Sequence, residues 1–213
     1  MFDTRPTTIN GQTVELLWIK EDILCYNYIL ADWQEFHPRN AKFIRDNGTV
    51  IQAGGNCGLY SLLYASDDRC SRVYTFEPDP INFYCLAHNC KSNKIVKFNT
   101  AVGNKCELLT IGVVDKTNVG MHKIGSGSTV VHSVTIDSIN IEDVSLIHLD
   151  VEGYEYNALL GATSTIKKFR PTIIVEVSHD LKHIEDFMLS IQYIQVAEYG
   201  KPINKVYVPK EMI

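Results

Sequence analysis

Residues 49–64, TVIQAGGNCGLYSLLY, constrain this chain more than any other stretch. The β-branched run Thr49 to Ile51 predicts a short buried strand. The run breaks at Gly54 and Gly55, and after Gly58 apolar residues return at helical spacing with Leu59, Leu62 and Leu63. A strand, a glycine turn and a helix in that order bring unpaired backbone N–H groups and a helix N-terminus to one edge of a sheet. Such a place suits a polar or anionic ligand group. Glycine is needed there because a side chain would hold the ligand off the backbone. A glycine turn after the first strand of a βαβ unit is a nucleotide-binding pattern that leaves the ligand open.

The rest of the chain alternates around this stretch. Strands are predicted at 72–77, 95–98, 144–149 and 171–177, and helices at 80–89, 155–168 and 183–188. A mostly parallel sheet covered on both faces follows, an α/β doubly wound, Rossmann-like architecture. Residues 193–198 and 205–208 read as a closing hairpin, which makes one late strand antiparallel. Before the first core strand, residues 1–48 form a lead-in with a strand at 12–19 and a helix at 33–45 capped by Asp32, and this piece is read as a substrate cap. Residues 49–213 are read as the main body, the two forming one domain. Between predicted strands at 108–114 and 130–136, residues 118–128 read as a glycine-rich loop.

Composition narrows the function classes. A hydrophobic fraction of 45% and a charged fraction of 21% are those of a globular protein. Net charge is −5 with scattered lysines, so no nucleic-acid partner is expected. No apolar run reaches the length of a membrane span, and the N-terminus does not read as a signal peptide, so neither membrane nor export is expected. Six cysteines without a CxxC pair read as reduced, mostly buried thiols of a cytoplasmic protein, and no zinc site is expected.

In an open sheet of this kind, ligands bind beyond the C-terminal strand ends where strand order reverses. With 49–53 central, that crevice collects residues 52–58, 77–79, 99–101 and 150–153 from four separate places. Glu77 ends the second strand 19 residues beyond Gly58, the position of an acid that accepts hydrogen bonds from ribose hydroxyls. At Asp150-Val-Glu-Gly, two carboxylates stand one residue apart where a buried strand opens into the crevice. Either Asp150 or Glu152 fits proton transfer, a cationic ligand group or a metal, while Glu152 equally suits a helix start. Glu176, ending another buried strand, would complete a metal site with Asp150, but a satisfied strand-end acid is the better-supported reading and no metal is expected. His148 and His179 flank the same edge, and His148 is close enough to Asp150 to assist it.

These residues together resemble the FkbM family of S-adenosylmethionine-dependent methyltransferases. The resemblance runs from about residue 48 to 178, through Val50 to Ser61, Val73 to Pro80, Asn99 to Gly103, His148 to Ala162 and Arg170 to Val177. It implies a class I methyltransferase fold, S-adenosyl-L-methionine as cofactor, and methyl transfer to a hydroxyl of a sugar or other small metabolite. It further implies that Gly54, Gly55, Asn56 and Gly58 hold the methionine moiety and that Glu77 binds the ribose. Adenine would lie near Pro78, Asp79, Asn99 and Ala101, with Asp150 beside the methyl group and the acceptor. Two positions depart from the family pattern. Gln52 stands where an acid is usual, removing a carboxylate near the cofactor's amino group, and His148 stands where a lysine is usual.

An O-methyltransferase is therefore the leading expectation, with Asp150, His148 and Glu152 as catalytic candidates. Two alternatives stay open. Ala53, Gly55 and Gly58 occupy the three positions of a dinucleotide fingerprint with its first glycine replaced, which admits an NAD-dependent oxidoreductase. Gln52 admits a descendant that binds cofactor, or a partner protein, without turnover.

Overall fold

A computed structural model of the chain describes residues 2–23, 27, 38–115, 118–177, 181–200 and 203–213, and its elements are numbered here in chain order. Strands β1 (Phe2–Ile9) and β2 (Gln12–Ile19) form an antiparallel hairpin turned at Asn10 and Gly11, both at positive φ. Asn-Gly is the pair that a two-residue hairpin turn favours. The sequence pattern revealed β2 but not β1, whose Pro6 argues against a strand anywhere except in an edge position. Asn89 fastens the hairpin to the body, accepting from Leu17 N at 2.8 Å and donating to Leu17 O at 2.8 Å. Of the helix expected over 33–45, residues 38–45 are described: α1 (Pro38–Ala41) is helical but ends four residues earlier than expected, and Asp32 and Trp33 lie outside the described residues.

The main sheet is built from β3 (Gly48–Ala53), β4 (Cys70–Phe76), β5 (Ile95–Phe98), β10 (Val144–Leu149), β11 (Thr172–Val177), β12 (Tyr193–Tyr199) and β13 (Ile203–Pro209). Its order is β12-β13-β11-β10-β3-β4-β5. Strand β13 is the antiparallel member, pairing against β11 and β12, and the remaining neighbours run parallel. Strands β3 and β10 are buried at every residue, as central strands covered on both faces must be. Their side chains alternate between two cores. Ile51, Phe76, Ile147 and Leu149 pack with helices α4 (Glu155–Leu160), α5 (Thr163–Phe169) and α6 (Leu181–Ser190), whereas Val50, Val73, Leu146 and Ile174 pack on the opposite face. There they meet α1, α2 (Leu59–Ala65) and α3 (Pro80–Asn89).

Residues 99–134 contain the strands expected at 108–114 and 130–136 but depart from the expectation in between and in how they pair. They form a second sheet of β6 (Ala101–Val102), β7 (Glu107–Asp115), β8 (Asn118–Ile124) and β9 (Thr129–Val134), in the order β6-β9-β7-β8. The loop expected over 118–128 is thus corrected. Its first part is β8, paired antiparallel with β7 through Ile111↔Ile124 and Val113↔His122. The strand was hidden because one inward position carries a histidine, which breaks the apolar alternation that marks a half-buried strand. The real turn is Gly125 to Ser128, with Gly125 and Gly127 at positive φ. Behind it the chain crosses itself closely, and a Cβ on Gly112 would lie 2.7 Å from Gly127 Cα.

The single helix expected over 155–168 is two helices, broken at Gly161. Asp137, in a 3₁₀ turn at Ile136–Ser138, accepts from Ser164 N and Thr165 N at 2.9 and 2.8 Å and so starts α5 afresh. A Cβ on Gly161 would stand 1.9 Å from the carbonyl oxygen of Gly103, so the break is packed against the second sheet's entry strand. Among the described residues no helix is long and apolar enough to cross a membrane.

Gly161 lies at φ −75°, which alanine adopts without strain. In open space Gly161→Ala would stabilise by about 0.4–1 kcal/mol through the unfolded chain. Overpacking against Gly103 reverses the sign, and the variant is expected to lose about 1–3 kcal/mol in urea unfolding.

Candidate functional site

The C-terminal ends of β3, β4 and β10 lie side by side, with Ala53 paired to both Phe76 and Leu149. Beyond them the backbone closes up. Gly54 N and Gly55 N both donate to Phe76 O at 3.0 and 2.9 Å, and Asp150 N donates to Ala53 O at 3.0 Å. Gly54 sits at φ +89°, and a Cβ there would be 1.8 Å from Asp150 O. Only glycine satisfies both the left-handed conformation and that approach. Gly55 and Gly58 serve packing, because added Cβ atoms would meet Leu86 Cδ1 at 2.3 Å and Cys90 Sγ at 2.5 Å, and Gly58 is also left-handed at φ +96°.

Gln52 is 1% exposed and belongs to this scaffold. Its Nε2 donates to Gly54 O at 3.1 Å, and its Oε1 accepts from Ser61 Oγ at 2.5 Å and Thr75 Oγ1 at 3.2 Å. The amide thus pins the glycine turn to α2 and β4, a set of bonds that needs both a donor and an acceptor on one side chain.

Glu77 follows β4 and is 5% exposed. Its Oε2 accepts from Asn56 N at 2.7 Å and its Oε1 from Asp79 N at 2.9 Å, which ties the glycine turn to the start of α3. Burial pushes its pKa up to about 7, against the opposing pull of those two amides. Asn99 Nδ2 secures the same bend by donating to Glu77 O at 2.8 Å and Pro78 O at 3.1 Å. Asp79 caps α3, its Oδ1 accepting from Ile81 N and Asn82 N at 2.8 and 2.9 Å. Its other oxygen, Oδ2, lies 3.1 Å from Nε2 of His122 on β8. Burial pushes the Asp79 carboxyl up, but His122 and the Asn82 and Ile81 amides together hold it below its ordinary value.

Across the cleft, Asp150 opens a tight turn in which Glu152 and Gly153 take positive φ. Glu155, 2% exposed at the start of α4, fixes this turn by accepting from Val151 N at 3.3 Å and Gly153 N at 3.0 Å. Asp150, Glu152 and Glu176 each bring a carboxylate oxygen to within 4.8 Å of the others, a grouping of the kind that holds a metal ion. Burial first, and then the neighbouring acids, raise the pKa of both Asp150 and Glu176. His148 is 1% exposed, with Nδ1 2.9 Å from the Tyr64 hydroxyl and its ring edge-on to Tyr60 at 4.5 Å. It stands behind the cleft wall rather than on it.

The cleft between these parts is small, about 40 Å³. Of the residues singled out from sequence, Gly54, Glu77, Pro78, Ala101, Asp150 and Glu152 line it. Gln52, Gly55, Asn56, Gly58, Asp79 and His148 stand behind those and hold them in place, whereas Asn99 is exposed and lines a neighbouring open pocket of about 490 Å³ with Phe98 and Thr100. Ile111, His122 and Ile124 also line the cleft, and sequence reasoning missed all three. Ile111 is on a strand that was expected but not placed at the cleft, and His122 and Ile124 are on the unexpected β8. A histidine with no acid, cysteine or second histidine at motif spacing gave no pattern to read. His179 lies outside the described residues.

Residues 52–200 match the methyltransferase FkbM domain. The chain belongs to the FkbM methyltransferase family. No curated protein matches it. The crystal structure of methyltransferase FkbM from Methylobacillus flagellatus KT is similar at TM-score 0.61 and 21% identity, covering 83% of this chain and 47% of that one. The chain therefore spans about half the length of that relative. Wild-type Trm5b from Pyrococcus abyssi is similar at TM-score 0.52 and 14% identity, over 96% of this chain and 54% of that one. A protein in the NADB-Rossmann superfamily from Streptococcus agalactiae reaches TM-score 0.52 at 9% identity, over 80% and 64%. At these identities the likeness is one of fold, and with the strand order it is the Rossmann-like fold of class I methyltransferases.

The raised Glu77 pKa has a signed consequence. Between about pH 4.5 and 7 the folded chain keeps a proton that the unfolded chain releases, so this group's contribution to stability falls as pH rises through that window. The span is roughly 3 kcal/mol at most. Urea unfolding from pH 4.5 to 7.5 is expected to show a shallower decline in Glu77→Gln than in the wild type.

Proposed function

We propose that the chain binds S-adenosylmethionine in this cleft and transfers its methyl group to a hydroxyl oxygen of a sugar or other small metabolite. The observation that carries the reading is Glu77, a buried carboxylate fixed at a strand end by the amides of Asn56 and Asp79. Each oxygen spends one lone pair on an amide and keeps another for a ribose hydroxyl, so the donor set fits a diol. Gly54 fits as well, because the absent side chain leaves the backbone bare where a ligand would approach. Family membership supports the same reading, and the partial coverage of the Methylobacillus enzyme leaves the acceptor to be found by experiment.

When bound, the cofactor supplies an electrophilic methyl group on a sulfonium that carries its own leaving group. What the protein adds is alignment and proton transfer. Holding acceptor and methyl carbon in line accounts for about 7–11 kcal/mol of barrier reduction in well-oriented reactions. Asp150 takes the acceptor's hydroxyl proton onto a carboxylate oxygen. Burial and the neighbouring acids raise its pKa, which strengthens it as a base once it is ionised, the state that a cationic group beside it favours. Glu152 lies beside it in the same turn. His148 acts through position, bracing the end of β10 against Tyr64. Cys70, Cys85 and Cys90 are free and buried, in keeping with a reducing, cytoplasmic setting.

Titration calorimetry with S-adenosylhomocysteine and NAD side by side tests the cofactor reading. Binding of the first and not the second is expected, weakened roughly 10- to 100-fold in Glu77→Ala through loss of charge-assisted hydrogen bonds. Binding of NAD alone would replace this reading with an oxidoreductase. With an accepted substrate, Asp150→Asn is expected to lower turnover by about 100- to 10,000-fold while leaving S-adenosylhomocysteine affinity within a fewfold.

A further inference from the structure

We propose that the edge strand β8 is a gate over the cofactor cleft, latched shut by His122 on Asp79. The inference rests on the cofactor reading above and adds to it a moving part and the residue that holds it.

Volume comes first. The cleft measures about 40 Å³, whereas pockets for ligands of cofactor size run from about 300 to 1,000 Å³. Something must withdraw to admit an adenosyl group. Three sides of the cleft are strand ends and turns of the main sheet, together with Thr100, Ala101 and Val102 at the buried strand β6. The main-sheet part is clamped by the bonds among Gly54, Phe76, Ala53 and Asp150 and by fully buried flanking strands. The fourth side is Ile111, His122 and Ile124, and two of those three stand on β8.

Strand β8 is built to yield. It lies at the edge of its sheet and, among the described residues, pairs within that sheet to β7 alone. That ladder shifts register between Val113 and Asp115. Gly125 and Gly127, both at positive φ, join β8 to β9 and form its hinge, which Ser126 Oγ holds to Gly112 O at 3.4 Å.

The latch can open at little cost to its surroundings. His122 Nε2 contacts Asp79 Oδ2, while the α3 cap uses Oδ1. Releasing His122 therefore leaves the helix start bonded. Ile124 withdraws with the same strand face, since residues two apart on a strand point the same way. Opening β8 exposes Glu77 and Asp150 together, the two carboxylates assigned to cofactor and acceptor.

Association kinetics of S-adenosylhomocysteine with the immobilised full chain, followed by surface plasmon resonance, test the gate. In the wild type the observed association rate is expected to level off with ligand concentration, because opening limits entry. His122→Ala is expected to raise that limit about tenfold, equivalent to about 1.4 kcal/mol of latch, and His122→Gln, which keeps a donor for Asp79, is expected to fall between. Thermal unfolding of both variants checks that they fold. Equal rates in all three proteins, rising linearly with concentration, overturn the gate and leave the cofactor reading standing. Absence of binding to wild type and variants alike overturns both, whereas binding only after the latch is removed supports the gate.

Discussion

Two parallel strands can end with their backbones in contact only where one of them carries no side chain. At Gly54 this chain meets that condition, its Cα turned toward the carbonyl of Asp150 in a conformation that other residues enter at a cost. The remaining contacts of the site follow from that approach. Because β3 bends there, Phe76 O receives two amides, and the next residue of the turn brings its N–H to Glu77. Because β10 ends there, Asp150 faces the same cleft as Glu77 from the opposite strand. Gln52 supports the arrangement from below with three hydrogen bonds, a structural use of the position where the family pattern has an acid.

The cleft collects negative charge in a place that disfavours it. Glu77, Asp150 and Glu176 all have raised pKa values, with burial the largest cause in each. Main-chain amides offset part of this at Glu77, and at the opposite wall Glu155 uses Val151 N and Gly153 N to hold the turn rather than to neutralise it. Such a site favours a cationic guest, because an opposite charge nearby lowers the cost of ionising each acid. A sulfonium is a guest of that kind on the proposed reading.

The sequence disclosed much of the main sheet because its strands are buried on both faces. Val50 and Ile51, or Leu146 and Ile147, form continuous apolar runs, and the glycines and acids that follow them stand out by contrast. The order of strands around β3 and the gathering of Glu77 and Asp150 at one edge were legible for the same reason. The second sheet was legible only in part: β7 and β9 were expected as strands over 108–114 and 130–136, but β8 and the joining of these strands into a separate sheet were not. The inward histidine of β8 and the two-residue length of β6 left no period-two pattern to read. The helix break at Gly161 was equally hidden. It depends on a carbonyl 58 residues earlier and on a carboxylate from a different turn, and neither leaves a local mark. His122 combines both difficulties, as a contact between Asp79 and an unforeseen strand.

The rims of the main sheet carry a consequence for how copies of this chain meet. One rim is β5, only four residues long, and the other is β12, whose ladder slips between Gln195 and Ala197 and leaves Val196 outside the pairing. A short rim and a kinked one both offer poor templates for a strand from another molecule. Fibrous growth by extension of the main sheet is thereby discouraged at each end.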